Sequence, residues 1–247
     1  MNYFVVLVVI LVPFGTCIDL PSGFKKCNMK KIDFNQCLGS AIHEAVRKLD
    51  SAITSHDLQS LYHVQFRPQD VMEFGNRSLS GLKQKFSNLS FLGLSRPEKT
   101  VARLDYENNT YTLTVSLTYR DILFQANYEC AGTIVMLPLN AMTPVEVLMV
   151  NPTLTYIFKL EPYYKGTTYL RVLDATADGR TQGLRWNFKQ LFENKHLNEE
   201  FNAAMTEKGA EIFTLYKFLE SSFTPYFAFL LDSFLSKVSV AELFDGF

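Results

Sequence analysis

Neither positive nor negative charge is in excess in this chain. Its 247 residues carry 24 Lys and Arg against 25 Asp and Glu, for a net charge of −1. Phosphate recognition needs a clustered basic excess, so no nucleic-acid partner is expected. Histidine is scarce. His43, His56, His63 and His196 form no HExxH pair, and His56 and His63 lack the neighbouring ligands of a metal site, so no metal is expected. There is no Walker loop and no GxGxxG. The run Asn76–Gly81 lacks the glycine placement of a GxSxG elbow, so no cofactor and no enzyme activity are expected. A triad assembled only in space, such as that of an ester hydrolase, escapes this reading. No Gly/Ser linker, repeat or low-complexity stretch divides the chain, which predicts a single domain over 18–247.

What is present is apolar and aromatic. Hydrophobic residues make up 47% of the chain and rings 14%, with 21 Phe and 12 Tyr against a single Trp. That apolar fraction excludes disorder.

Phe4–Val12 is an unbroken apolar run of nine residues, well short of the roughly 20 that cross a bilayer. With Gly15 and Cys17 at positions −3 and −1 before Ile18, residues 1–17 read as a secretory signal peptide. The mature chain is therefore expected to be extracellular, with no stable membrane insertion. An oxidising compartment favours pairing Cys27 with Cys37, ten residues apart. Cys130 is then left as a buried thiol acting as a small hydrophobe. Asn76, Asn88 and Asn108 each open an Asn-x-Ser/Thr sequon, marking candidate glycosylation sites on an outward face.

Periodicity supplies the fold class. Leu38, Ile42, Ala45, Val46 and Leu49 make one stripe of a helix over Cys37–Ile53, behind N-cap candidates in Asp33–Gln36. From Tyr111 to Tyr119 apolar residues alternate with Thr and Ser. The same period of two recurs through Ile122–Met136, Leu154–Leu160 and Leu184–Phe188. Long one-sided strands imply an antiparallel sheet whose apolar face must be covered. From Asn198 to Val238 the period becomes helical, with Phe201, Met205, Ile212, Leu215, Leu219, Phe223, Phe227, Leu230 and Phe234 near one side. Such a helix would reach about 60 Å, with a kink at Pro225. The class is α+β: an elongated domain in which a long C-terminal helix is wrapped by a curved antiparallel sheet.

Large rings on a wide curved sheet either interlock or leave a tunnel. Strand parity places Val115, Leu117, Phe124, Tyr128, Cys130, Ile134, Met136, Tyr156, Phe158, Trp186 and Phe188 on the inward face, with Phe223 and Phe227 from the helix. In the tunnel reading these residues bind a small lipophilic ligand. An apolar guest burying about 350 Å² gains roughly 9 kcal/mol before association costs. The alternative is a secreted glycoprotein that acts as an interaction or signalling module around a filled core.

Four segments carry a family likeness. Leu20–Cys27 followed by Phe34–Leu38 resembles the opening of the insect takeout and haemolymph juvenile-hormone-binding proteins. Tyr128–Pro138 is similar to that family's strand with Tyr, Gly and a following Leu-Pro, and Trp186–Leu197 and Lys237–Phe244 resemble two later segments. The resemblance runs in order along nearly the whole mature chain. It implies a TULIP-like fold with an internal hydrophobic tunnel, and a monomeric carrier of juvenile-hormone-like terpenoids or fatty-acid-like molecules. An unpaired Cys130 fits the takeout branch, because the hormone carriers have a second disulfide. Lys189-Gln190 stands where Asp-Asn is usual, and Ala141-Met142 where the family has a Gly-x-Gly turn.

Overall fold

The computed structural model describes residues 18–67, 72–74, 83–134, 137–212 and 223–246. Residues 1–17, Asn76, Met136, Leu215 and Leu219 fall outside these residues. Of Ile134 and Ile212 only the backbone is described.

The alternating segments become long strands in two antiparallel sheets. One is four-stranded in the order β10-β9-β6-β5, formed by β5 (Lys99–Glu107), β6 (Thr110–Thr118), β9 (Thr153–Lys165) and β10 (Thr167–Arg180). The other is six-stranded, in the order β11-β8-β7-β4-β2 with β3 also on β4. Its members are β2 (His63–Gln65), β3 (Met72–Phe74), β4 (Lys83–Leu92), β7 (Asp121–Ile134), β8 (Leu137–Val150) and β11 (Gly183–Phe188). Burial follows sequence parity: Leu154, Tyr156, Phe158 and Leu160 are buried in β9, and Leu184, Trp186 and Phe188 in β11. Ala141 and Met142 lie inside β8, opposite Cys130 and Glu129, so the expected turn is continuous strand here. Residues with a Cβ hold an extended ladder that Gly-x-Gly would weaken.

Helix α1 spans Phe34–Lys48, starting earlier and stopping sooner than the stripe predicts. Phe34 is drawn in because it buries against Phe244, with ring centroids 5.7 Å apart. Ile53 is drawn out because it pairs with Leu58 as an isolated bridge. Asp33 occupies the N-cap, but its side chain makes no capping hydrogen bond. The C-terminal helical pattern appears as α2 (Lys195–Ile212) and α3 (Thr224–Leu235). Pro225 falls in the first turn of α3, where its missing N–H is tolerated. A short α4 (Val240–Leu243) follows, and then β12 (Phe244–Asp245), which pairs in parallel with β1 (Cys27–Asn28). Among the described residues no helix is long and apolar enough to cross a membrane.

Three sheet edges, β5, β10 and β11, receive a helix, which covers strand groups that otherwise invite aggregation. Helix α1 lies on β5: Leu104 N donates to Asn35 Oδ1 at 3.2 Å, and His43 Nδ1 meets Thr100 Oγ1 at 3.1 Å. The approach is close at Gly39, where a Cβ would stand 3.3 Å from the Thr100 carbonyl oxygen. Helix α3 lies on β10, where Val172 N donates to Asp232 Oδ1 at 2.7 Å.

Helix α2 serves β11 with residues spaced four apart. Phe188 N donates to Asn202 Oδ1 (2.8 Å), and Asn202 Nδ2 donates back to Phe188 O (3.1 Å). Trp186 N donates to Thr206 Oγ1 (3.1 Å), and the buried Asn198 takes Leu191 N on Oδ1 (2.7 Å). One helix face thus supplies the partners that a further strand would have given. Asn202→Ala leaves Phe188 N without its side-chain partner, while Phe188 O keeps Asn198 Nδ2 at 2.9 Å. It is expected to lower stability by about 1–3 kcal/mol in urea unfolding; an unchanged midpoint would show that water replaces the amide.

Candidate functional site

Among the described residues, the rings of the six-stranded sheet pack against one another. Phe124 lies 4.9 Å from Phe91 and 6.2 Å from Phe86, and Tyr128 lies 4.9 Å from both Phe86 and Phe188. Trp186 stacks on Phe188 at 5.5 Å, and Phe201 of α2 closes on Phe188 at 5.5 Å. Tyr128 donates to Gln84 Oε1 at 2.9 Å, and desolvation drives its phenol well above the ordinary range. Cys130 is buried beside it, within 3.7 Å of Ala141 O, and burial raises its thiol. Little thiolate forms in such a place, so the group is chemically quiet.

The four-stranded sheet is different. Between it and the two helices on its edges lies a cavity of about 270 Å³. Leu113, Val115, Leu117, Tyr119, Tyr156, Phe158, Leu160 and Leu170 form its floor. Leu38, Ala41, Ile42, Ala45 and Val46 of α1, with Leu49 at its C-cap, make one wall, and Phe227, Leu230, Leu231, Phe234 and Leu235 of α3 the other. Ala41 and Ala45 of α1 present small side chains to this space. The size sits just below the ~300–1,000 Å³ usual for ligand pockets.

Leu20, Phe24, Lys25 and Gln59 line the same cavity, with Lys25 and Gln59 exposed to solvent. The segment carrying Leu20 and Phe24 is pinned across the opening. Ile18 N donates to Lys237 O at 3.3 Å, and His56 Nε2 donates to Asp19 O at 2.8 Å. Lys48 Nζ donates to Ser22 O at 3.4 Å, and the Phe24 ring meets Phe234 at 6.2 Å. The Cys27–Cys37 disulfide ties β1 to α1 beside the cavity, which Cys27 also lines. Polar lining is sparse, and the interior therefore favours apolar guests.

A family model described as haemolymph juvenile hormone binding protein (JHBP) matches residues 4–245. The chain belongs to this family. The crystal structure of Epiphyas postvittana Takeout 1 shares the fold of this JHBP-family chain, with a TM-score of 0.65 and 18% sequence identity. That match covers 89% of this chain and 99% of the Takeout 1 chain. A crystal structure of lipopolysaccharide binding protein aligns with a TM-score of 0.41 at 12% identity, over 84% of this chain and 38% of that one. No curated sequence matches this JHBP-family member.

Of the residues singled out by parity, Val115, Leu117, Tyr156, Phe158 and Phe227 meet around the cavity of this JHBP-family chain. Phe124, Tyr128, Cys130, Trp186 and Phe188 do not line it; they pack within the six-stranded sheet. Phe223 sits on the seam, 4.4 Å from Phe91 on one side and 5.7 Å from Phe227 on the other. The α1 wall was visible in the sequence as a stripe, but nothing local marked it as cavity lining. Asn88 and Asn108 are exposed, one at the bulge of β4 and one in the Asn108-Asn109 turn between β5 and β6, all three at positive φ. Among the described residues no group of three or more His, Cys, Asp or Glu could hold a metal ion.

Proposed function

We propose that this protein is a secreted, non-enzymatic carrier that holds one small lipophilic molecule in the cavity between the four-stranded sheet, α1 and α3. The apolar cavity carries the reading, because solid packing is the rule for protein interiors and a void of this size otherwise forfeits contacts. It favours a carrier over an interaction module built on a filled core. Membership of the JHBP family and the Takeout 1 fold support a ligand of juvenile-hormone-like terpenoid or fatty-acid-like character. Secretion is supported by the apolar run of residues 4–12 and by the Cys27–Cys37 disulfide, which persists in oxidising compartments. The protein works as a monomer, with glycans on exposed asparagines.

The test is displacement of a fluorescent fatty acid from the purified protein, alongside native mass spectrometry of material as secreted. One probe bound per chain, displaced by long-chain lipids, is the expected result. Failure of every lipid to displace the probe, with no co-purifying small molecule, overturns the proposal. A companion variant, Phe24→Ala, trims the segment across the opening and is expected to speed ligand release severalfold in stopped-flow displacement. An unchanged release rate would place the exit elsewhere.

A further inference from the structure

The cavity ends where the rings begin. On β6 its lining runs from Leu113 through Val115 and Leu117 to Tyr119, about 20 Å of strand. It reaches Leu94, just past the end of β4, but no described residue of the six-stranded sheet borders it. Phe227 of α3 lines the cavity, and one helical turn back stands Phe223, 5.7 Å away ring to ring and 1% exposed. Phe223 meets Phe91 edge-on at 4.4 Å and Phe66 at 5.6 Å, and Phe66 lies 5.9 Å from Phe91. Behind Phe91 the file of rings goes on through Phe124, Phe86 and Tyr128, each 4.9 to 6.2 Å from the next.

A guest that pushed past this point would have to move a ring whose far side is already held by other rings. Close-packed interiors give way poorly to added volume, and edge-on ring pairs attract beyond their burial alone. We infer that Phe223, backed by Phe66 and Phe91, is the stop at the inner end of the cavity and sets the longest chain the protein accepts. The inference rests on the carrier reading and adds a length limit to the ligand. Phe223 suits a truncation test. It occupies the N-cap of α3, and its side chain makes no capping hydrogen bond. Removing the ring therefore takes away the stop and leaves the capping of the helix as it was.

Saturated fatty acids from decanoic to docosanoic, each displacing the same fluorescent fatty acid, measure the limit. In wild type, affinity is expected to rise with length and then to fall at a cut-off. Each methylene that finds room is worth about fourfold in affinity. In Phe223→Ala the cut-off should move up by at least two methylenes, so that the first acid wild type rejects binds about tenfold tighter to the variant. Phe223→Leu should shift it less, and carries the test if the alanine variant does not fold. Phe124→Ala, with Phe223 and Phe91 still in place, should leave the cut-off where it was. Three results overturn the inference while the carrier stands: an unmoved cut-off in the folded Phe223 variants, equal weakening of every acid, or a wild-type affinity that climbs without a break. A shift in Phe124→Ala as large as in Phe223→Ala overturns it too. If wild type binds none of the acids, the carrier reading fails and the inference falls with it.

Discussion

Replacing Ala45 with Trp is expected to weaken lipid binding by at least about tenfold, or ~1.4 kcal/mol, while the protein remains folded. Ala45 belongs to the α1 wall and borders the cavity of about 270 Å³. An indole built there projects into space that a guest would occupy. Adding bulk to a close-packed interior typically costs about 1–3 kcal/mol through strained rotamers. At this position the void takes up the ring, so the penalty is small. A graded series sharpens the test, because Ala45→Val, Ala45→Leu and Ala45→Trp should exclude progressively more of a long chain. Displacement titrations and far-UV circular dichroism read the two effects separately. Full affinity in a folded Ala45→Trp protein would mean that the guest lies elsewhere.

Phe124→Ala should do the reverse. Phe124 is 1% exposed and locked between Phe86 and Phe91 on the six-stranded sheet. Truncation there removes buried ring contacts and leaves a hole that neighbouring strands close only in part. The expected loss is about 3–5 kcal/mol in denaturant unfolding. Because Phe124 is not among the cavity lining, binding per folded molecule should stay at the wild-type value. A marked loss of affinity in the folded fraction would show that the two halves share one binding space. The pair of substitutions therefore maps the border between filled and hollow interior. Phe223, in contact with Phe91 and Phe227, stands on that border.

Much of this arrangement is legible along the chain. Alternation through Tyr111–Tyr119, Leu154–Leu160 and Leu184–Phe188 names both the strands and their buried faces, since side chains on a strand point to opposite sides with a period of two. Cys27 and Cys37, close in sequence and alone among residues 18–247 apart from Cys130, identify the disulfide that the structure contains. The stripe of α1 is equally plain, although its ends shifted: Phe34 found a partner in Phe244, and Ile53 found one in Leu58. Phe244 lies beyond any local window of Phe34, whereas Leu58 is only five residues from Ile53 and its pairing depends on the turn between them.

Which rings interlock and which surround a void is a different matter. Phe124 and Phe158 read identically in the sequence, as aromatic residues on the inward side of a strand. They part company because Phe124 meets Phe86 and Phe91, whereas Phe158 lies across the cavity from an α1 face bearing Ala41 and Ala45. Periodicity fixes the direction in which a side chain leaves its own backbone. It carries no information about how far away the opposing layer stands, or how large the residues on it are. That separation is set when α1 settles on β5 through Gly39 and Asn35, and when α3 docks on β10 through Asp232. The sequence alone determined which faces are oily and what compartment suits the cysteines. Only the docking of the helices on the sheet edges decided where that oil is left with room for a guest.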